Sequence, residues 1–153
     1  MIYDNISGIG KGSLVIMEKN WNKVTAEIYR TRVLSYIYRH LDEIRRVTRV
    51  MPILMKDNAS IHTAKLTKEY HAYYGVERME WPARSSDLNP IENVWRLLKA
   101  RVGRRCPRTD AEVRQYIQEE WDRMDLEDFK KYIESMPERC QAVIDADGEH
   151  TKW

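Results

Sequence analysis

The chain opens with two short runs of apolar, β-branched character, MIY (1–3) and SLVIME (13–18), on either side of GIGKG (8–12). Two such runs separated by glycines predict a β-hairpin. A glycine-rich phosphate cradle is excluded, because it has to open a helix and here a second strand follows. From Thr25 the apolar positions Ile28, Tyr29, Val33, Ile37, Leu41 and Ile44 recur about once per turn. They predict a helix with one buried face. A basic connection with Arg45, Arg46 and Arg49 leads into PILM (52–55), whose unbroken apolar character predicts a strand buried on both faces. The spacing then predicts a helix over 62–74 with Gly75 as its C′ residue, and a third strand in VERMEW (76–81), closed by Pro82. Strand, helix, strand in this order implies a right-handed crossover between parallel strands. It places Asp57 at their carboxyl end, where open sheets of this type carry their sites.

The segment WPARSSDLNPIENVWRLLKARV (81–102) holds the clearest helix start: Asn89 as the cap and Pro90 as the first helical residue. Ile91, Val94, Trp95, Leu98 and Val102 form its apolar stripe, and Glu92 falls at the third helical position, off that stripe. A structural role for Glu92 would be to close a capping box with Asn89 or to pair with Arg96. Asp87, in the preceding loop, suits an Asx-type turn. Further on, Thr109 and Glu112 read as a capping box ahead of a packing helix with Val113, Tyr116, Ile117 and Trp121 on one face. LEDFKKYIESMPERCQAVIDA (126–146) reads as one or two more helices with a break before or at Pro137.

A chain of 153 residues with 42% apolar and 33% charged residues suits one compact core. No apolar stretch approaches the ~20 residues of a membrane span, and no signal-peptide pattern opens the chain, so an intracellular protein is expected. Cys106 and Cys140 have no metal-ligand spacing to any histidine and are expected to be free thiols. Charge is unevenly placed: residues 1–107 hold 19 Lys/Arg against 11 Asp/Glu, and residues 108–153 hold 7 against 13. Arg96, Lys99, Arg101, Arg104, Arg105 and Arg108 lie in one stretch without an acid. They form either a solvated helix face or a surface for a polyanion.

Asp57 and Glu92 are separated by 34 residues (92 − 57 − 1). With DNASIHTAK around the first, WPARSSDLNPIENVW around the second, and GKGSLVIMEKNW (10–21) near the start, the chain resembles the mariner/Tc-type DDE-superfamily transposases over about residues 1–105. The resemblance implies a ribonuclease-H-like α/β fold, a mixed sheet flanked by helices, in which Asp57 and Glu92 are two of three catalytic acids that hold Mg²⁺ or Mn²⁺. It implies cutting and joining of DNA phosphodiesters by two-metal catalysis, with DNA as partner, possible self-association, and a nuclear or other DNA-containing intracellular location. Arg96, Lys99, Arg101, Arg104 and Arg105 become candidates for phosphate contacts. Asn58 and His62 belong to the same motif and are expected to orient its loop by hydrogen bonds.

The family places its first acid on a central strand that precedes the hairpin. The 153 residues match neither that strand nor the helix-turn-helix region before it, and Asp4, at the turn end of its strand, does not replace the acid. The expected organisation is a partial catalytic domain over 1–105, with the first central strand missing, and a helical extension over 106–153. A truncated, inactive endonuclease is expected, the alternative being a non-catalytic relic or domesticated protein that binds nucleic acid.

Overall fold

The computed structural model describes every residue except Ala83, Arg84, Ser86, Asp87, His150 and Trp153. The turn expected at Asp87 therefore lies outside the described residues. The chain forms two compact units, one of Met1–Asn5 with Lys11–Arg84 and one of Ile6–Gly10 with Ser85–Trp153.

In the first unit, β1 (Ile2–Tyr3) pairs antiparallel with β4 (Val15–Ile16), in the register Ile2 opposite Ile16 and Tyr3 opposite Val15. This is the expected hairpin. Its tip carries a second short pair, β2 (Ile6–Ser7) with β3 (Gly10–Lys11). Gly12 lies so close to Asn5 that a Cβ there would fall 1.8 Å from Asn5 Oδ1, which leaves room for glycine alone unless Asn5 moves.

The helix predicted from Thr25 is present in three continuous pieces: α1 (Ala26–Tyr29), a π-turn (Arg30–Leu34) and α2 (Ser35–Thr48). Thr25 Oγ1 caps it by accepting the Ile28 N–H at 3.2 Å. Val33, Leu34, Ile37, Tyr38 and Leu41 are buried together with Tyr29 from α1 and Leu54. Each large apolar side chain so covered contributes about 1.5–3 kcal/mol. The π-turn was not legible from spacing, since one widened turn leaves the apolar rhythm almost intact.

β5 (Ile53–Leu54) and β6 (Glu77–Arg78) pair in parallel, Ile53 opposite Glu77 and Leu54 opposite Arg78. The strand expected to be buried on both faces is buried on one only: Leu54 is 7% exposed and Ile53 is 50% exposed. The reason is its pairing, for among the described residues β5 has β6 as its sole neighbour. The helix expected over 62–74 is split into α3 (Ser60–Thr63) and α4 (Lys65–Tyr73), because Ala64 takes an extended ψ of 142°. Gly75, at φ +62°, ends α4 as expected. The Val76 N–H donates to His71 O and the Gly75 N–H to Ala72 O, the two bonds of a Schellman motif.

The second unit is helical apart from the hairpin tip: α5 (Pro90–Arg104), α6 (Asp110–Arg123), α7 (Leu126–Glu134) and α8 (Met136–Asp145). α5 packs on α6 and α7, and Val94, Leu98, Val102, Trp121, Met124 and Phe129 are buried. The break expected before or at Pro137 falls before it, at Ser135. Thr109 caps α6 through the Glu112 N–H, but the Glu112 carboxylate accepts from the Arg108 N–H at 2.6 Å instead of closing the box on Thr109. The complete capping box belongs to Asp125 and Asp128 at α7. Both cysteines are free and exposed.

Candidate functional site

Asp57 lies three residues beyond β5, on the loop that leads to α3. Its Oδ1 accepts the Ala59 N–H at 3.0 Å and meets His62 Nδ1 at 2.7 Å. The loop is pinned again where Asn58 Nδ2 donates to the Trp81 carbonyl at 2.7 Å. Burial by itself would raise the Asp57 carboxyl, but the Ala59 N–H, the His62 ring and the neighbouring Lys56 ammonium outweigh it and hold it below the usual carboxylate range. Both contacts fall on Oδ1, so among the described residues Oδ2 has no partner, and the side chain is 58% exposed.

Behind this loop Lys56 is buried, an unusual place for an ammonium group. Its Nζ lies 2.6 Å from His71 Nε2, and His71 Nδ1 lies 2.8 Å from the Tyr38 hydroxyl. With Lys56 protonated, Nζ donates to Nε2, and the ring proton then sits on Nδ1 and is donated to the Tyr38 oxygen. Desolvation, aided by the Arg78 charge, lowers the lysine to about 7. Desolvation and then the Lys56 charge lower His71 to about 3. Burial raises the Tyr29 and Tyr38 hydroxyls. Sequence reasoning missed this relay; the one available signal was a lysine directly after an apolar strand.

Glu92 sits at the third position of α5. Asn89 Oδ1 caps that helix by accepting the Ile91 N–H at 3.4 Å, one residue earlier than a capping box requires. Among the described residues the Glu92 side chain has no hydrogen-bond or ion-pair partner, Asn89 and Arg96 included. Neither structural role considered for Glu92 is therefore filled.

The two carboxylates belong to different compact units, Asp57 to the first and Glu92 to the second. Each carries donors of the kind a hard divalent cation takes: among the described residues Oδ2 of Asp57 and both oxygens of Glu92 have no hydrogen-bond partner, and carboxylate oxygens are ligands of Mg²⁺ and Mn²⁺. Among the described residues no three His, Cys, Asp or Glu side chains are grouped to hold a metal.

The basic stretch of α5 divides in two. Arg101 makes a bidentate pair with Asp128 of α7. Arg105 pairs with Glu119 at 2.6 Å and Glu120 at 3.1 Å, and its guanidinium lies 3.7 Å from the centre of the Tyr116 ring. Acids of α6 and α7 thus occupy both groups. Arg96, Lys99 and Arg104 are exposed and, among the described residues, have no such partner.

Comparison with known proteins matches residues 14–114 to the family described as DDE superfamily endonuclease. The Tc1 transposase of Caenorhabditis elegans is 38% identical over 102 residues, which are 66% of this chain and 37% of that protein. The Tc3 transposase of the same organism is 35% identical over 96 residues, 61% of this chain and 29% of that protein. The chain thus spans between 29% and 37% of the length of these curated relatives. Among solved structures, the catalytic domain of Mos1 mariner transposase superposes with a TM-score of 0.84 at 18% identity, covering 99% of this chain and 75% of that one. The Mos1 mariner paired end complex with Mn gives 0.81 at 22%, covering 99% and 44%. These likenesses show the ribonuclease-H-like α/β fold of the Mos1 catalytic domain. By its family match, its curated relatives and its fold, the chain belongs to the DDE superfamily endonucleases, as a catalytic domain of the Tc/mariner transposase type.

Proposed function

We propose that Asp57 and Glu92 are two of three carboxylates that hold Mg²⁺ or Mn²⁺ in a DNA endonuclease and strand-transfer site. The observation that carries this reading is Glu92, a carboxylate in the first turn of α5 that neither caps the helix nor pairs with a cation among the described residues. Asp57 suits the same role. The Ala59 N–H and His62 fix Oδ1, Asn58 ties the loop to Trp81, and the carboxyl is held ionised, so Oδ2 is presented without a proton to lose first. The Mos1 structures with Mn and with Mg, and those with transposon ends, support a divalent metal and DNA as partners. When bound, two such ions activate an attacking oxygen and stabilise the leaving oxygen of a phosphodiester.

The third carboxylate would come from a strand seated between β1 and β5. The open edge of β5 and the exposure of Ile53 support this placement. Residues 1–105 would then be the catalytic portion and residues 106–153 a helical extension fastened to α5 through Arg101 and Arg105.

If Asp57 and Glu92 share a cation, Mn²⁺ titrated into the isotope-labelled chain broadens the amide signals of residues 57–60 and 91–94 together. Asp57→Asn or Glu92→Gln weakens the broadening at both segments. Broadening confined to one segment, and unaffected by substitution in the other, would separate the two carboxylates and sink the shared site.

A further inference from the structure

The sequence points to the basic stretch 96–105 for phosphate contacts, yet two of its arginines, Arg101 and Arg105, are neutralised by acids of their own unit. A different group of guanidinium side chains is uncommitted. Arg45, Arg46 and Arg49, at the C-terminal end of α2, line a surface cavity of ≈ 290 Å³ with Asp42 as the sole carboxylate in its wall. All three are exposed, and among the described residues none of their side chains has a hydrogen-bond or ion-pair partner. Residues 44–51, IRRVTRVM, contain no acid.

The ordinary explanation for cations in a last helical turn is the helix dipole, which one exposed charge satisfies for about 0.3–1 kcal/mol. It does not account for three around one cavity. Arg45 and Arg49 are four residues apart, and like charges at that spacing repel by about 0.2–0.5 kcal/mol. Arg49 also occupies the left-handed position that ends α2, at φ +61°, where glycine fits without a Cβ penalty. The local fold gains little from these side chains, whereas a polyanion would relieve their mutual repulsion.

We propose that Arg45, Arg46 and Arg49 form a contact surface for the phosphate backbone of duplex DNA, separate from the exposed cations of α5. The inference rests on the reading of DNA as the polymer this domain acts on. Phosphate contacts of this kind position a duplex without reading its sequence.

The test is fluorescence anisotropy of labelled duplex DNA titrated with the whole chain over a series of KCl concentrations. An Arg45→Gln/Arg46→Gln/Arg49→Gln variant is compared with Arg96→Gln/Lys99→Gln/Arg104→Gln. Losing three phosphate contacts makes the salt slope of log K shallower by about 2–3 and weakens binding roughly a hundredfold near physiological salt. The thermal midpoint of the first variant is expected to stay level or rise, and an Arg→Lys triple is expected to keep the salt slope. Wild-type binding that survives the first variant and is lost in the second would overturn the inference and leave the DNA reading standing. No wild-type binding at low salt would remove both. Two other outcomes also overturn it: inorganic phosphate displacing DNA at matched ionic strength, which indicates a small-anion site, and tighter binding of duplex RNA than of DNA. A lowered midpoint in the glutamine variant with full DNA affinity assigns the arginines to the fold alone.

Discussion

Incubated with Mg²⁺ or Mn²⁺ and supercoiled DNA, the 153-residue polypeptide is expected to leave the plasmid intact, while a version extended by a strand that brings a third carboxylate beside β5 nicks it. A clamp of two metal ions on the attacking and leaving oxygens would require ligands for both ions. Asp57 and Glu92 can each offer open oxygens to an ion, but among the described residues no third ligand joins either of them. If losing the clamp on the attacking and leaving oxygens raises the barrier by about 4 kcal/mol, the rate falls about a thousandfold, below the background of a nicking assay. The extended version should lose its activity again in Asp57→Asn and in Glu92→Gln. Nicking by the short chain that disappears in Asp57→Ala would show that two carboxylates suffice.

Acid should weaken the first unit before it titrates most ordinary surface carboxylates. His71 is the main cause: its folded value of about 3 lies below the ordinary 6.5, so the folded state holds the ring neutral. Its contribution to stability is complete above about pH 6.5 and disappears as the pH falls toward 3. At pH 4.5 the loss is roughly 2–3 kcal/mol, a large part of the stability of a small domain. Lys56 acts in the same direction at higher pH, since its value falls from 10.5 to about 7 and its contribution is lost over that interval as the pH drops. Urea midpoints at neutral and acid pH, for the wild type and His71→Gln, measure the effect. A wild-type midpoint that does not move on acidification, or an equal slope in the variant, would rule out the buried neutral ring.

Local patterning announced much of this structure. The hairpin, the Asn89-Pro90 helix start, the stripe of Val94, Leu98 and Val102, the glycine stop at 75 and the helix break near Pro137 all depend on residues within a turn or two of each other. What the sequence hid depends on distant partners. Arg101 meets Asp128 and Arg105 meets Glu119 across 27 and 14 residues, so a stretch that reads as uniformly basic is partly neutralised in the fold. The exposure of Ile53 follows from which strands flank β5, a property no window around PILM contains. Glu92 shows the converse. Its place in the first turn was legible, but its lack of a structural partner appeared only once Asn89 was seen to spend its side chain on the Ile91 N–H.

The parallel pairing of β5 with β6 also sets a kinetic order. The turns of α1 and α2 close through contacts a few residues apart, whereas β5 and β6 must meet across the 22 residues 55–76 before either strand gains a hydrogen bond. Closing that loop costs chain entropy ahead of any reward, so the pair forms after the helices and is among the first elements to open. The loop bearing Asp57 hangs from that late element. Amide hydrogen exchange should therefore be faster at residues 53–59 than at residues 33–41 of the long helix, and equal protection of the two segments would refute this order. A strand added to the open edge of β5 would then do more than supply a carboxylate: it would slow the opening of the segment that carries the other.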